Sequence, residues 1–362
     1  MHLARAWAVA IVSALVSAYT VVPAPAARAT NHFPIYYPRS TSSNSAAGMD
    51  MSISGYYHRL FVPLGRTLFV YDYDGNQIVR LRFARYVHST SVSSDGRVAY
   101  VTADDDLVAL DARAGAIRWR KHTGGIAGHL ALAAGRVWVV SDVDGVTKLL
   151  SVNPNLPTRG WVEVPAWGNT HAHVITGAGG TVPRIAWAVS NDEGSITAAT
   201  AHADGTISGR RIYGSTGAKE LAPGAAQYSA NGAVLAFTGD EVSNPDGSHD
   251  SALGVWNLSK TGFADTTFVT THGTPVQVAV SPSSRHLVGT IHGALYVWAT
   301  SNPRTPVKTV PFSWDAWPSL QGLAVTPDGT YAYCMVTEDA DSSTQSYTRP
   351  VLVRIRLGIS NW

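Results

Sequence analysis

The sequence repeats one unit seven times, and this repetition restricts the possible folds more than any other feature. The second copy shows the unit best. A short apolar strand ends in the turn Ser94-Asp95-Gly96-Arg97, and the apolar run 98–102 follows. A polar loop, a third strand over 107–111 and a fourth strand over 116–120 complete the copy. The seven copies begin near residues 49, 89, 129, 173, 225, 276 and 321.

Four short strands in a unit of about 40–50 residues are typical of a propeller blade. The repeat therefore predicts an all-β, seven-bladed β-propeller with four antiparallel strands per blade, in which residues 49–362 form a single domain. Six or eight blades are the alternative counts. An array of β-sandwiches would also contain many strands, but its repeats would be nearer ~100 residues. No stretch keeps a 3.6-residue apolar period for more than a turn or two, so helices should be nearly absent.

The last copy is one strand short. Residues 322–326, 331–337 and 351–357 supply three strands before the chain ends at Trp362. A three-stranded blade would leave an unpaired edge, which is an aggregation hazard. We therefore expect a strand from residues 31–48 to pair with this edge and close the ring.

Residues 1–29 have the three parts of a secretory signal peptide. A short basic start precedes an uncharged apolar run from Ala6 to Val22, and a small-residue site ends at Ala29. An uncleaved membrane anchor is the alternative, although 17 residues are at the low limit for crossing a bilayer. Residues 30–48 are interpreted as a leader that includes a flexible tether. With no later segment long and apolar enough to span, the mature protein is expected to be secreted, with no stable membrane span after cleavage.

Charge and cysteine content exclude several classes of protein. Residues 1–29 contain Arg5 and Arg28 but no acid, so the remaining chain has 25 basic and 25 acidic residues. This balance gives no overall electrostatic footprint for nucleic acid. The one cysteine, Cys334, excludes a disulfide framework, an iron–sulfur site and a cysteine-rich zinc site. It lies in a sequence that reads as a buried strand, where a reactive thiol is not expected.

Histidines and acids fall at equivalent positions of the repeat. In a propeller, the loops that enter the first strands and those between second and third strands emerge on one face, around the channel mouth. The entering loops carry histidines, and the loops between second and third strands carry acids. The candidate ligand-binding residues of this face are His88, His129, His171, His173, His272, Trp317, Asp104, Asp106, Asp142 and Asp192.

This pattern has two interpretations. Imidazole together with carboxylate suits a divalent metal or a general acid/base pair. His171-Ala172-His173 is the best local case for a metal, because alternate side chains of an extended chain point to the same side. Acids also stabilise turns locally, and histidines cap strand ends, so any single residue is equally explained by structure. No Gly-x-Ser-x-Gly elbow occurs, and the catalytic residues and the metal ligands stay unassigned.

Three segments carry a resemblance to known repeat families. Residues 108–119, with Leu110-Asp111 followed by Gly115 and Trp119, resemble the repeat of quinoprotein-like propellers. Residues 253–257 and 295–298, each with a tryptophan near the end of a strand, look more like WD40-type repeats. The resemblance covers residues 49–357 and implies propeller architecture. It implies no specific chemistry, because it singles out no characterised family.

Two functions follow as hypotheses. The first is a secreted, non-catalytic propeller that binds a protein, peptide or glycan at the channel mouth. The second is a metal-assisted propeller lyase or hydrolase, which would use the histidines and carboxylates of this face as ligands and base, with a divalent metal as cofactor. Stoichiometric metal in the purified protein would discriminate between them.

Overall fold

The structure is a computed structural model that describes residues 31–34, 50–164, 172–189, 195–214, 223–243, 249–258, 266–271, 277–291, 294–311, 316–341 and 346–362. These residues form 28 strands in seven four-stranded antiparallel sheets, and no helix occurs among them. Consequently no helix in the described part of the chain is long and apolar enough to cross a membrane.

Each sheet is one blade, numbered here in chain order from the centre of the ring outwards. The first strand of the chain, β1 (Asn31–Pro34), belongs to the last blade. Blade 1 contains β2 (Ser52–Ser54), β3 (Arg59–Leu64), β4 (Thr67–Asp72) and β5 (Gln77–Arg82). Blade 2 contains β6 (Val87–Val92), β7 (Val98–Ala103), β8 (Asp106–Asp111) and β9 (Ile117–His122). Blade 3 contains β10 (Ile126–Ala133), β11 (Arg136–Val143), β12 (Val146–Val152) and β13 (Val162–Glu163).

The remaining blades repeat this order. Blade 4 contains β14 (Ala172–Ala178), β15 (Arg184–Val189), β16 (Ser195–Ala201) and β17 (Ile207–Gly214). Blade 5 contains β18 (Pro223–Tyr228), β19 (Val234–Ser243), β20 (His249–Asn257) and β21 (Thr266–Thr271). Blade 6 contains β22 (Gln277–Val280), β23 (His286–Ile291), β24 (Ala294–Ala299) and β25 (Asn302–Pro311). Blade 7 contains β26 (Ala316–Val325), β27 (Tyr331–Asp341), β28 (Ser346–Arg356) and, outermost, β1.

The ring is closed by the N-terminal strand, as the incomplete last repeat predicts. β1 pairs antiparallel with β28, with Asn31 opposite Arg354 and Pro34 opposite Val351. At the centre, β2, β6, β10, β14, β18, β22 and β26 contact one another in that order, and β26 contacts β2. The seven-bladed β-propeller is therefore confirmed, with its predicted closure.

One hydrophobic core lies between each pair of neighbouring blades. Alternate residues of a strand enter different cores. In β3, Leu60 and Val62 pack toward blade 7, whereas Phe61 packs toward blade 2. Both faces of each sheet are thus covered, which explains why second strands are apolar throughout rather than alternating. Trp138, Trp256 and Trp298 are buried in these cores.

The turn that marks the repeat in the sequence has one hydrogen-bond pattern in four blades. In blade 2, Ser93 Oγ donates to Asp95 Oδ1 (2.6 Å), while the backbone N–H of Val98 donates to Ser93 Oγ (3.0 Å). Gly96 follows at a φ of 72°, a left-handed conformation that costs glycine little. The equivalent pairs are Ser229 with Asn231, Ser281 with Ser283 and Thr326 with Asp328. These turns connect first to second strands and lie at the end of the channel opposite the candidate residues.

Candidate functional site

The loops predicted to share one face do meet. The backbone carbonyl of Asp104, between β7 and β8, accepts a hydrogen bond from Ala127 N at the entry to blade 3 (3.1 Å). The carboxylate of Asp104 accepts hydrogen bonds from Ala84 N (3.2 Å) and Arg85 N, at the entry to blade 2. Asp104 thus connects both entering loops and adopts a φ of 56° to do so.

Three of the predicted histidines lie within the first strands rather than in the loops before them. His88 is the second residue of β6, His129 the fourth of β10 and His173 the second of β14. In each strand the pairing register shifts at the histidine: between Val87 and Ser89, between Ala127 and Leu130, and between Ala172 and Val174. A β-bulge inserts an extra residue and re-aims its side chain, and bulges are common beside functional sites. Three consecutive blades therefore repeat a histidine at a bulge near the mouth.

Asp50 and Ser89 hold one of these imidazoles. His129 Nδ1 lies 2.8 Å from Asp50 Oδ2, and Ser89 Oγ donates to the same oxygen at 3.0 Å. A carboxylate only accepts hydrogen bonds, so Nδ1 carries the proton, and Nε2 is the ring nitrogen left for a ligand. Asp50 also forms a parallel bridge with Ser89, and its carbonyl accepts from Thr90 Oγ1 (2.7 Å). Blades 1, 2 and 3 thus meet in one polar group, called here the mouth cluster: Asp50, Ser89 and His129.

The contacts of the mouth cluster shift the pKa values of Asp50, His129 and the neighbouring His88. Burial raises the pKa of Asp50, but the charge and hydrogen bond of His129, with the bond from Ser89, outweigh it and the net pKa is lowered. Burial lowers the pKa of His129, and the Asp50 carboxylate more than reverses this, so the net pKa is raised. At His88, burial and then the positive charge of His129 lower the pKa, against an opposing effect of Asp104. The pKa values of the two histidines are therefore shifted in opposite directions.

The other acids of this face are spread out. Asp106 begins β8, where it lies 3.5 Å from His122 Nδ1 and 3.9 Å from Arg120 Nη1, toward the outer strand. Asp142 is exposed near the end of β11, and its carboxylate has no hydrogen bond or ion pair among the described residues. The structure therefore brings His88, His129 and Asp104 to one part of the mouth, while Asp106 and Asp142 lie apart from them.

The remaining candidates cannot be placed in this way. His171, Asp192 and His272 lie outside the described residues. For His173 and Trp317 the structure gives positions in β14 and β26. Within the described residues, no group of three or more His, Cys, Asp or Glu side chains could hold a metal ion.

The sequence analysis missed Asp50 and Ser89. Asp50 lies two residues before the start of β2, and Ser89 lies inside β6, whereas polar site residues were predicted only in loops. A usable signal does exist: the innermost strands contain no Lys, Arg, Asp or Glu, so an acid two residues away from such a strand is conspicuous.

A cavity of about 830 Å³ occupies the centre of the ring. It is lined from all seven blades, by residues that include Met51, Ser91, Leu130, Ile175, Ala226, Gln277 and Leu323. Among the described residues, three charged ones line it: Asp50, Asp95 and Arg136. Each of the three already forms hydrogen bonds within the protein. Asp50 belongs to the mouth cluster, and Asp95 accepts a hydrogen bond from Ser93 Oγ in its turn. Arg136 donates to Ser151 Oγ (3.1 Å) and to the carbonyl of Ala203 (3.1 Å). The wall therefore offers mainly hydroxyl, amide and apolar groups.

Polar side chains connect the innermost strands around this cavity. Leu130 N donates to Ser89 Oγ (3.3 Å), and Tyr228 N donates to Thr176 Oγ1 (3.3 Å). Further round, Val280 N donates to Gln227 Oε1 (2.8 Å), and Leu323 N donates to Gln277 Oε1 (3.1 Å). In each case a side chain of one blade satisfies a backbone donor of the next. The cavity wall is therefore cross-linked between blades.

The class of protein that this fold and channel define is a seven-bladed β-propeller. No protein-family model and no curated protein matches the chain. Among solved structures, it is similar to a chain of Kuenenia stuttgartiensis hydrazine synthase, with 12% identity and a TM-score of 0.63 over 90% of this chain and 100% of that one. It is also similar to a WD40-type chain from a crystal structure of the mitotic checkpoint complex, with 14% identity and a TM-score of 0.62 over 93% of this chain and 97% of that one.

These similarities support the WD40-like architecture of the repeat. The likeness to quinoprotein-like repeats stays a prediction, since no comparison bears on it. In total 1287 chains of solved structures are similar to this one. A fold shared so widely hosts many unrelated functions, so the function has to be argued from the site.

Proposed function

We propose that this chain is a secreted, non-catalytic propeller that binds a neutral, hydrogen-bonding ligand, a glycan or a segment of a peptide or protein, in its central channel. The observation that carries the proposal is the mainly uncharged set of described residues that lines the cavity. Each of the three charged groups among its described lining residues already forms hydrogen bonds within the protein, and the rest of the described wall is uncharged, which favours a neutral ligand. A hydroxyl such as that of Ser91, which lines the channel from β6, suits a ligand rich in donors and acceptors.

Asp50 and Ser89 of the mouth cluster line this cavity and orient the imidazole of His129. Asp50 and Ser89 fix the ring of His129, so its Nε2 meets a ligand without first losing side-chain freedom. Such pre-organisation is the general way in which a site gains affinity without additional contacts. Secretion is proposed on the signal-like residues 1–29.

The proposal is tested by filling the channel with a large side chain and measuring ligand binding. Mature protein would be titrated by calorimetry with neutral oligosaccharides and with short uncharged peptides. Ser91→Trp fills the cavity, whereas Thr305→Trp places the same bulk on the exposed outer strand β25. One ligand per chain, lost in Ser91→Trp and kept in Thr305→Trp, is expected. Equal binding by both variants would place the ligand outside the channel, and no binding to any probe would contradict a neutral-ligand site.

A second candidate function rests on the bulge histidines. Their repetition on blades 2, 3 and 4 would suit a metal-assisted lyase or hydrolase that takes a divalent ion at the mouth. A histidine that binds a metal commonly donates its other ring N–H to a carboxylate, as His129 does to Asp50.

Metal analysis of the purified protein tests this candidate. Stoichiometric divalent metal that is lost in His129→Gln and His173→Gln, but kept in His122→Gln, would favour it. Protein that is free of metal, and whose melting temperature calcium, magnesium and zinc leave unchanged, would count decisively against it.

A further inference from the structure

The central cavity follows the innermost strands over much of their length. Successive residues line it on blade 2 from Ser89 to Asp95, on blade 3 from Leu130 to Arg136, and on blade 4 from Ile175 to Gly180. Seven successive residues of extended chain span up to about 20 Å. Spread over that length, a volume of about 830 Å³ gives a mean cross-section of about 40 Å². The cavity is therefore long and narrow.

One end of the cavity lies among the turns and loops at the end of the blades opposite the mouth. The lining residues that are exposed there define what is called here the turn-side opening: Ser94, Asp95, Gly135, Asn155, Gly179 and Ala230. None of them has a side chain larger than that of asparagine, and a Cβ added at Gly135 or Gly179 would meet no heavy atom within 4 Å. The turn-side opening is therefore rimmed by small residues, and a chain can enter through it.

The channel is surrounded by the edges of sheets. Each innermost strand is the first strand in the order of its blade, so it pairs with only one other strand of that sheet. Alternate backbone N–H and C=O groups of an edge strand point away from its partner, here toward the channel and the adjoining blade. Extended polypeptides are commonly recognised by main-chain hydrogen bonds to such edges. The backbone of the channel wall thus suits a polypeptide ligand.

The side chains of the wall also favour polypeptide over glycan. Sugar rings stack on aromatic faces, but the aromatic residues among the described lining, Tyr100 and Tyr228, are only 5% and 4% exposed, with their rings in the cores between blades. Aliphatic Val92 and Leu132 and the amide of Gln227 are more accessible and line the same channel. Such a mixture of amide and aliphatic groups matches a peptide backbone with small side chains.

We infer that the channel binds an extended, uncharged segment of polypeptide that enters through the turn-side opening. The inference rests on the proposed function and narrows its ligand from glycan or polypeptide to polypeptide. Spacings of about 4.8 Å between strands and 10 Å between sheets give a single extended chain a cross-section of about 50 Å², and a hairpin about twice that. The cavity cross-section of about 40 Å² is thus near that of one chain and too small for two.

The experiment compares linear with compact probes of the same chemistry. The probes are a pool of uncharged heptapeptides of Ala, Val, Ser, Thr and Gln capped at both ends, the head-to-tail cyclic heptapeptides of the same composition, and maltoheptaose. Linear peptides retained by immobilised protein would be resynthesised, with their cyclic counterparts, and titrated by calorimetry.

Three variants locate the entrance with the same bulky residue. Gly179→Trp fills the turn-side opening, whereas Gly160→Trp adds the same bulk at an exposed glycine that does not line the cavity. Ile126→Trp enlarges an exposed side chain on the mouth face, at the start of β10. Unchanged melting curves would show that all three variants fold.

One linear heptapeptide per chain is expected to bind, at least about tenfold more tightly than its cyclic counterpart or maltoheptaose. Gly179→Trp should weaken binding at least about tenfold, and Gly160→Trp and Ile126→Trp less than about twofold. Preference for maltoheptaose, equal binding of cyclic and linear peptides, or loss in Ile126→Trp with binding kept in Gly179→Trp would overturn this inference and leave a ligand site in the channel intact. Binding of none of the probes would overturn both this inference and the proposed function.

Discussion

The mouth cluster shows how one ion pair sets the properties of a site. Asp50 lies outside every repeat strand, yet it holds the His129 ring at 2.8 Å and receives Ser89 as a second donor. Both members of the pair remain partly exposed, at 36% for Asp50 and 24% for His129. Solvent screening therefore limits the stabilisation to about 1 kcal/mol, below the range of fully buried charged hydrogen bonds.

This pair should make the free energy of unfolding depend on pH. The raised pKa of His129 stabilises the fold fully below its ordinary value of 6.5, and the effect is lost as pH rises through the folded-state pKa. The lowered pKa of Asp50 stabilises above 3.8, and that effect is lost as pH falls through the folded-state pKa. A double-mutant cycle with Asp50→Asn and His129→Gln should therefore give about 1 kcal/mol of coupling near pH 5.5 and less than half of that near pH 9. Equal coupling at both values would contradict the ion pair.

Cys334 is predicted to be unreactive in the folded protein. It is fully buried between blades 6 and 7, and burial raises the pKa of its thiol. The thiolate is the reactive species, so a maleimide should label native protein at pH 8 at least ~100-fold more slowly than protein in urea. Because this is the only cysteine, mass spectrometry gives the result directly. Rapid labelling of the native protein would contradict this prediction and show that the core between blades 6 and 7 opens.

At the scale of strands and turns, the sequence predicted most where the local chemistry repeats. Blade 2 was predictable almost residue by residue, because Asp95 and Gly96 mark its first turn and Asp111 and Gly115 mark its last. Register was not predictable. A bulge adds one residue without disturbing the apolar character of a strand, so the shift at His129 left no trace in the pattern. The histidines were therefore predicted to lie in loops, and Asp50 was not predicted to be a site residue.

The hydrogen bonds that link the innermost strands of neighbouring blades give a prediction at this scale. Gln277→Met keeps the size of the side chain but leaves the N–H of Leu323 without its acceptor, at a position where Gln277 is buried. An unsatisfied buried donor costs about 1–3 kcal/mol, which urea unfolding should detect as a lower midpoint. Gln227→Met removes the same kind of bond to Val280 N, but from an exposed side chain that water can replace. Its cost should be less than half as large, and equal costs would contradict this account.

The whole molecule depends on closure, because the seven cores lie between blades and each needs both neighbours. Deleting residues 31–34 would leave the edge of β28 unpaired beside the last blade. We expect the melting temperature to fall by several degrees. Replacing residues 40–48 by a Gly/Ser sequence of equal length should leave it unchanged, because that segment is predicted to be a tether. If both changes lowered it equally, the pairing of β1 would not be the cause.

The most direct test of the ring is to trap its closing pair. In a Cys334→Ser background, cysteines would replace Phe33 and Leu352 or, separately, His32 and Val353, which are partners in the β1–β28 register. Adjacent antiparallel pairs alternate between wider and closer Cα spacing, so at least one of the two pairs has disulfide geometry. Mild oxidation should then give an intrachain disulfide in monomeric, folded protein, whereas cysteines replacing Phe33 and Ile78 should give none. Failure of both register pairs to cross-link within one chain would contradict the closed seven-bladed ring.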